Sequence, residues 1–257
     1  YYKHAADKGY AKAMFKYALM LDKGDGIEEN KKEAFRYLKL ATDQEYTKAM
    51  FNYAKMLESG DGIEADKIEA VRYYKLAADK GHVKAMFSYA AMIENGDGVE
   101  QNKYEAACYY KYAADEDHVD SMFKYAKMLE NGDGIETDKI EAVRYDKLAA
   151  DQGHVEAMFS YAVMIENGDR VEQNKLEAAC DYKLAADQGH VDSMFKYAYM
   201  AENGDGIAEN KIRAARCYKL AAEQGHVDSM PKYAKMLENG DGNEENKKEA
   251  TLYYKLA

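Results

Sequence analysis

The stretch from Tyr10 to Glu45, YAKAMFKYALMLDKGDGIEENKKEAFRYLKLATDQE, decides the fold because two helical patterns flank a glycine turn. In its first half, Met14, Tyr17, Ala18 and Leu21 follow one another at the spacing i, i+3, i+4 and i+7. Side chains at that spacing share one face of an α-helix. The first half therefore predicts an amphipathic helix with one apolar face.

A second helix is predicted after the turn. Gly24 ends the first helix, since glycine readily adopts the left-handed conformation found at helix C-termini. Asn30 and Glu33 match a capping box, in which each side chain accepts a hydrogen bond from the other residue's backbone N–H. The same pattern recurs at Asp66/Glu69, Asn102/Glu105, Asp138/Glu141, Asn174/Glu177 and Asn246/Glu249, whereas Asn210 is followed by Arg213. The second apolar face consists of Ala34, Tyr37, Leu38 and Ala41.

The whole stretch recurs every 36 residues without an insertion. The Gly-Asp of the turn begins at Gly24, Gly60, Gly96, Gly132, Gly168, Gly204 and Gly240. The recurrence predicts one continuous array, in which 1–9 is the tail of a preceding repeat and the repeats are 10–45, 46–81, 82–117, 118–153, 154–189, 190–225 and 226–257. We therefore expect an all-α solenoid of seven helix-turn-helix repeats, with about 15 helices counting the N-terminal partial repeat.

The composition excludes several classes of partner. The formal net charge is -11, and this acidic excess repels phosphate backbones, so nucleic acid is not an expected partner. No apolar stretch is long enough to cross a membrane, and membrane insertion is not expected. The three cysteines, Cys108, Cys180 and Cys217, cannot all pair, and a disulfide framework is not expected. Together with the absence of a signal sequence, this usage favours a cytoplasmic location.

The repeat resembles the Sel-like repeat, a branch of the tetratricopeptide class of α-solenoids. The residues that carry the resemblance in one repeat are Ala85, Ala90, Gly96, Gly98-Val99, Asn102, Ala106, Tyr109-Tyr110 and Ala113-Ala114. Seven copies agree, so the resemblance covers the whole chain. It implies a right-handed superhelix that acts as an adaptor and holds a peptide or protein on a concave face lined by the first helix of each repeat.

The sequence offers no constellation typical of an enzyme. His82, His118, His154, His190 and His226 recur one repeat apart, so they are spread along the array and cannot converge on one metal ion. The acidic turn does not match the ligand spacing of a calcium loop. No nucleophile elbow or phosphate-binding glycine loop is present. We therefore expect no catalytic residues, no metal and no cofactor.

The positions that vary between repeats form a stripe on the first helix, at the places of Lys12, Lys16, Leu19 and Lys23, and the first three places are the candidate binding site. The first place holds Lys12, Lys48, Lys84, Asp120, Glu156, Asp192 and Asp228. The second place holds Lys16, Asn52, Ser88, Lys124, Ser160, Lys196 and Lys232. The third place holds Leu19, Lys55, Ala91, Lys127, Val163, Tyr199 and Lys235. By analogy with tetratricopeptide arrays, we interpret this stripe as the binding surface; unconstrained drift of exposed positions is the alternative.

The charge at the first place of the stripe changes from basic to acidic along the chain. This gradient would orient an extended ligand or favour head-to-tail contact between chains. A row of phenylalanines lies next to the stripe: Phe15, Phe51, Phe87, Phe123, Phe159 and Phe195. These rings either pack between helices or form an aromatic floor for a ligand.

Neither end of the chain has a polar capping helix, so end-to-end association is a further expectation.

Three functions compete at this stage. A scaffold or adaptor that binds a protein or peptide partner is favoured, because the repetition leaves no focal site. A structural spacer or self-associating array without a specific ligand is the alternative. A hydrolase-like activity, as claimed for some secreted members of the resembling family, is a distant third.

Overall fold

The computed structural model describes residues 1–242 and 246–257, and every element in those parts is an α-helix. The chain divides into two compact units, Tyr1–Thr137 and Asp138–Ala257, and the boundary falls inside the fourth repeat. The positions 243–245 of the seventh repeat lie outside the described residues. The all-helical fold and the number of helices agree with the prediction: fifteen helices are present in the described ranges.

Each unit is built from consecutive antiparallel pairs of helices that pack mainly on their neighbours in sequence. The first unit contains α1 (Tyr2–Asp7), α2 (Ala11–Lys23), α3 (Lys31–Thr42), α4 (Thr47–Ser59), α5 (Lys67–Asp79), α6 (Val83–Asn95), α7 (Lys103–Asp115) and α8 (Val119–Asn131). The second contains α9 (Lys139–Asp151), α10 (Val155–Asn167), α11 (Lys175–Asp187), α12 (Val191–Asn203), α13 (Lys211–Glu223), α14 (Ser229–Asn239) and α15 (Lys247–Leu256).

Alanine and tyrosine form most of the core. Ala18, Ala34 and Ala41 are completely buried, as the small-residue pattern predicts, and the missing side-chain bulk lets the helices approach closely. Leu21, at the end of the first apolar face, is also buried. Gly24 adopts the left-handed conformation that ends α2, with φ 67°, and its N–H donates to the Met20 carbonyl. The predicted helix stop is confirmed.

The capping box is only half formed, which corrects the prediction. The Asn30 side chain accepts from the Glu33 N–H at 3.0 Å, as expected. The Asn30 N–H, however, donates to the Leu21 carbonyl at 2.9 Å and not to the Glu33 side chain. The carbonyls at the end of the first helix lack intrahelical partners, so they compete for this donor. Glu33 is thereby released and pairs with Arg36.

The same arrangement explains the exception at Asn210. Its side chain accepts from the Arg213 N–H at 2.9 Å, so the cap does not need an acidic residue three positions on. The Asn210 N–H donates to the Ala201 carbonyl at 2.7 Å. Arg213 then directs its guanidinium to the Tyr197 hydroxyl, at 2.9 Å. The cap is preserved while the side chain at the third position acquires another role.

The recurring histidines cap the first helices. Nδ1 of His82 accepts from the Ala85 N–H at 3.2 Å, and Nδ1 of His190 accepts from the Ser193 N–H at 3.2 Å. Burial lowers the pKa of His82, which keeps its ring neutral and Nδ1 free to accept a hydrogen bond. The backbone N–H groups in the first turn of a helix have no acceptor within the helix, and the histidine rings supply one.

A close contact between repeats favours glycine at the second glycine of most of the turns. Gly98 has φ +73°, and a Cβ at this position would lie 2.7 Å from the Lys67 carbonyl. The neighbouring Asp97 carboxylate pairs with Lys67 Nζ at 2.7 Å. In the second unit Arg170 replaces this glycine at φ 66°, and the corresponding pair, Lys139–Asp169, is longer, at 3.7 Å. The arginine is thus accommodated at the expense of the ion pair.

We predict that Gly98→Ala destabilises the chain more than Gly81→Ala. Both glycines have positive φ, but a Cβ at Gly81 meets nothing within 4 Å. Gly81→Ala should therefore cost about 1 kcal/mol of the free energy of unfolding for backbone strain. Gly98→Ala adds the clash with Lys67 and should cost about 3 kcal/mol, measured by urea unfolding. Equal losses for the two variants would show that the approach of the turn to the preceding repeat is not close.

Candidate functional site

A glutamate, a tyrosine and a lysine from three successive helices meet at a place that recurs in both units. The Tyr110 hydroxyl donates to the Glu94 carboxylate at 2.7 Å, and Lys124 Nζ lies 3.5 Å from the same carboxylate. We call this arrangement the polar bridge. It recurs in the second unit as Tyr182–Glu166–Lys196 and Tyr218–Glu202–Lys232. Tyr74 and Glu58 form the same hydrogen bond at 2.6 Å.

The polar bridge depends on burial. Tyr110 is completely buried by α6 and its neighbours, and burial together with the Glu94 charge raises its pKa. A buried hydroxyl without an acceptor would be costly, so the carboxylate at the end of the first helix is required by the tyrosine. The lysine of the next first helix then neutralises the carboxylate. The bridge therefore joins one repeat to the next.

The second place of the predicted stripe is largely engaged in these internal contacts. Lys124, Lys196 and Lys232 belong to polar bridges. The Asn52 amide donates to the Lys48 carbonyl at 2.8 Å. Ser160 is buried, and its hydroxyl donates to the Asp146 carboxylate at 2.7 Å. Lys16 is exposed and Ser88 is half-buried.

The first place of the stripe is exposed in all seven repeats. Its acidic members in α8, α10 and α12 lie in the first helical turn, where the helix dipole favours negative charge. The lysines Lys12, Lys48 and Lys84 occupy the first turn of α2, α4 and α6, where the dipole disfavours them. Local stability therefore does not account for this basic row of the first unit.

The third place differs most in chemistry from one repeat to the next. Leu19, Ala91 and Val163 are half-buried, and Lys55, Tyr199 and Lys235 are exposed. Lys127 is half-buried, with its ammonium 2.7 Å from Glu130. Lys232 Nζ lies 5.2 Å from the centre of the Tyr199 ring. Each unit thus presents a different set of groups at this place.

The phenylalanines pack between helices. The Phe87 ring centre is 5.7 Å from that of Tyr110 and 5.0 Å from that of His118. Phe195 has the same contacts with Tyr218 and His226, at 5.7 Å and 4.8 Å. Phe15 is buried and Phe51, Phe87, Phe123, Phe159 and Phe195 are half-buried. The packing interpretation accounts for these contacts, and the aromatic floor stays a prediction.

A pocket of about 370 Å³ opens beside Leu38, between α2 and α4. Leu19, Leu38 and Met56 supply apolar walls, while Asp22 and Asn52 supply polar ones. Lys23, Lys55, Ser59 and Asp61 complete the lining. Its volume is within the usual range of small-molecule and side-chain sites. The sequence pattern did not draw attention to this pocket.

A second surface was also missed by the sequence analysis. The second helices expose large apolar side chains at matching places: Ile68 and Tyr104 in the first unit, and Ile140, Leu176 and Ile212 in the second. Ile68 is 74% exposed, and Leu76 on the same helix is also exposed. The available signal was that these residues fall outside the apolar face formed by Ala70, Tyr74 and Ala77. We use the name outer row for the five matching exposed residues, Ile68, Tyr104, Ile140, Leu176 and Ile212.

Several titratable groups bear on metal binding or have a shifted pKa. Within 1–242 and 246–257, no three His, Cys, Asp or Glu side chains are grouped closely enough to hold a metal ion. Burial raises the pKa of the Cys217 thiol, which makes its thiolate scarcer. Burial and the nearby Glu177 raise the pKa of Asp181 to about 6, while Lys147 opposes the shift. No helix within the described ranges combines the length and apolar character needed to cross a bilayer.

We predict that Asp181 makes stability depend on pH. Its folded-state pKa is about 6, above the ordinary value of 3.8, so the folded chain favours the protonated form. The free energy of unfolding therefore falls as the pH rises from the ordinary pKa of 3.8 to about 6, and it stays reduced at higher pH. Allowing for solvent screening, Asp181→Asn should raise the free energy of unfolding by about 1 kcal/mol near pH 8, with little gain near pH 4.

The measurement is urea unfolding of the parent and variant chains at both pH values. Glu209→Gln, which removes an exposed carboxylate, is the matched control and should show no such difference. A gain for Asp181→Asn that is the same at both pH values would contradict the assignment of the raised pKa to this side chain.

Comparisons with known proteins agree with this architecture. The solved structures that are similar in fold include the following two. A protective antigen of uropathogenic Escherichia coli with an SLR fold aligns with a TM-score of 0.84 and 24% identity over 99% of this chain and 62% of the antigen. This chain thus spans less than two thirds of the antigen's length. A Sel1 repeat protein from Oxalobacter formigenes aligns with a TM-score of 0.76 and 23% identity over 95% of this chain and 96% of that one.

The family assignment comes from the sequence. No curated protein sequence matches the chain. The model of the Sel1 repeat matches seven times, at residues 11–46, 47–82, 83–118, 119–154, 155–190, 191–226 and 227–257. These ranges leave no gap between one repeat and the next from residue 11 onward. The chain therefore belongs to the Sel1 repeat family.

Proposed function

We propose that the chain is a scaffold that binds a protein or peptide partner through the first helices of its repeats. The observation that supports this proposal is that some positions of the repeat make internal contacts while others vary at the surface. Tyrosine, glutamate and most second-place residues are engaged in polar bridges and core packing, whereas the third place changes from repeat to repeat at the surface. Sel1 repeats are commonly protein-interaction scaffolds, and such arrays present extended surfaces.

The basic row of the first unit adds an electrostatic component. Lys12, Lys48 and Lys84 are exposed at helix positions where the dipole disfavours them. Residues that oppose local stability are candidates for recognition. We therefore propose that this row meets acidic groups of the partner, which would raise the association rate at low salt.

The outer row is the alternative binding face. Its exposed isoleucine, leucine and tyrosine side chains form apolar contact points on the second helices of each unit. Exposed apolar groups that recur in register are a feature of interaction surfaces. This observation favours a second candidate site, while a spacer without a ligand requires neither face.

Affinity capture from a lysate of the source cell discriminates between the faces. The first variant carries Lys55→Ala, Lys127→Ala, Tyr199→Ala and Lys235→Ala. The matched control carries Ile68→Ala, Tyr104→Ala, Ile140→Ala and Ile212→Ala, which is the same number of substitutions on the outer row. We predict that a partner of the parent chain binds the first variant at least about tenfold more weakly and the control as well as the parent, because contact residues concentrate on one face.

The dissociation constants are then measured with the purified partner. Loss of binding in the outer-row variant alone would move the interface to the second helices. Equal retention by both variants would contradict the proposed face. No partner captured by the parent chain would favour the spacer.

A further inference from the structure

The pocket beside Leu38 lies where most of the later repeats have a tyrosine, such as Tyr74 and Tyr110. Asp22, Leu38 and Asn52 line the pocket, and each lies 72 residues before a member of the polar bridge formed by Glu94, Tyr110 and Lys124. In that bridge the phenol of Tyr110 fills the space between the helices and donates to Glu94. At the junction of the first and second repeats all three members are replaced: Asp22 and Leu38 lie in the first repeat and Asn52 in the second. The pocket is therefore the space of a missing phenol.

The chemistry of the walls matches a phenol. Leu38 and Met56 are buried side chains that present apolar surface, and Leu19 adds a third apolar wall. Asp22 is half-buried at the edge of the pocket. Among the residues in 1–242 and 246–257, none donates a side-chain hydrogen bond to its carboxylate, whereas Glu94 receives one from Tyr110. The ring of a phenol would pack against the apolar side chains, and its hydroxyl would donate a hydrogen bond to the Asp22 carboxylate.

The rim narrows the choice of ligand. Lys23 and Lys55 are exposed beside the opening, and their charges disfavour a cationic side chain. Asp61 is held in an ion pair with Lys31, so its charge is already neutralised. A hydroxylated aromatic ring flanked by acidic residues fits this arrangement better than a lysine or an arginine would.

We propose that this pocket binds a tyrosine side chain from an extended segment of the partner, with the tyrosine hydroxyl donating to Asp22. The partner's ring thereby takes the position that Tyr74 and Tyr110 occupy in the next two repeats. The proposal rests on the proposed scaffold function and assigns one specificity-determining position to it. Phosphorylation of the hydroxyl would place a dianion beside Asp22 and should abolish binding.

The test uses the chain labelled with 13C at its methionine methyl groups and titrated with p-cresol, the side-chain analogue of tyrosine. Met56 lines the pocket, and its signal is assigned with Met56→Leu. We expect a saturable shift of the Met56 methyl with a dissociation constant on the order of 1 mM, as suits a ligand of so few atoms. Toluene, which lacks the hydroxyl, should bind at least about fivefold more weakly, because it leaves the carboxylate unsatisfied.

Three variants locate the interaction. Leu38→Tyr should fill the pocket from within and remove the Met56 shift, while circular dichroism shows whether the helices are intact. Asp22→Ala should reduce p-cresol affinity to that of toluene, and it decides the matter if Leu38→Tyr does not fold. Asp25→Ala removes a carboxylate that does not line the pocket and should leave the affinity unchanged.

Two further ligands, a tyrosine derivative and an alkylammonium ion, test whether the pocket accepts a tyrosine residue and whether it prefers a cation. N-acetyl-tyrosinamide should bind as well as p-cresol, since the pocket is open to a main chain at its rim. An absent Met56 shift with p-cresol, equal affinities for toluene and p-cresol, or tighter binding of n-butylammonium would each overturn the proposal. Capture of a partner through Lys127, Tyr199 and Lys235, which do not line this pocket, does not depend on these results, so the tyrosine pocket and the scaffold function fail separately.

Discussion

A tyrosine hydroxyl that is buried between helices must have a hydrogen-bond acceptor, and this requirement shapes both units. Tyr110 is completely buried and donates to Glu94, and Tyr182 and Tyr218 do the same with Glu166 and Glu202. The acceptor lies on the first helix of the same repeat, which fixes how the two helices face each other. The lysine of the following first helix then pairs with the same carboxylate, so the contact continues into the next repeat.

This use of side chains determines what is left for recognition. Residues that recur in every repeat are engaged in core packing, helix caps or turns, so they carry no information about a partner. What varies is the residue at the third place, the charge at the first place and the identity of the bridge residues. At the junction of the first and second repeats the bridge is replaced by Asp22, Leu38 and Asn52, and these residues line a pocket. Departures from the repeat are therefore the positions where function is most readily sought.

Periodicity was sufficient to predict the helices, the glycine stops and the acceptor side of the caps. It did not predict that the Asn30 N–H bonds to the Leu21 carbonyl, because that bond depends on how the chain folds back on the first helix. Nor did it show that Lys124 would be engaged by Glu94, since their separation of 30 residues has meaning only once the repeats are stacked. The pocket was missed for a related reason: a change from tyrosine to leucine conserves the apolar pattern while removing a ring and a hydroxyl.

The central claim is that the buried tyrosine–carboxylate bond couples the helices, and a double-mutant cycle tests it most directly. Tyr110→Phe, Glu94→Ala and the double variant are compared by urea unfolding, with the exposed Tyr254–Glu238 pair at 3.3 Å as the reference. The account predicts a coupling of about 2 kcal/mol for Tyr110–Glu94, as for a hydrogen bond to a charged group, and a coupling close to zero for the reference pair. Additive effects at Tyr110 and Glu94 would show that the bond does not hold the repeat together and would contradict the account.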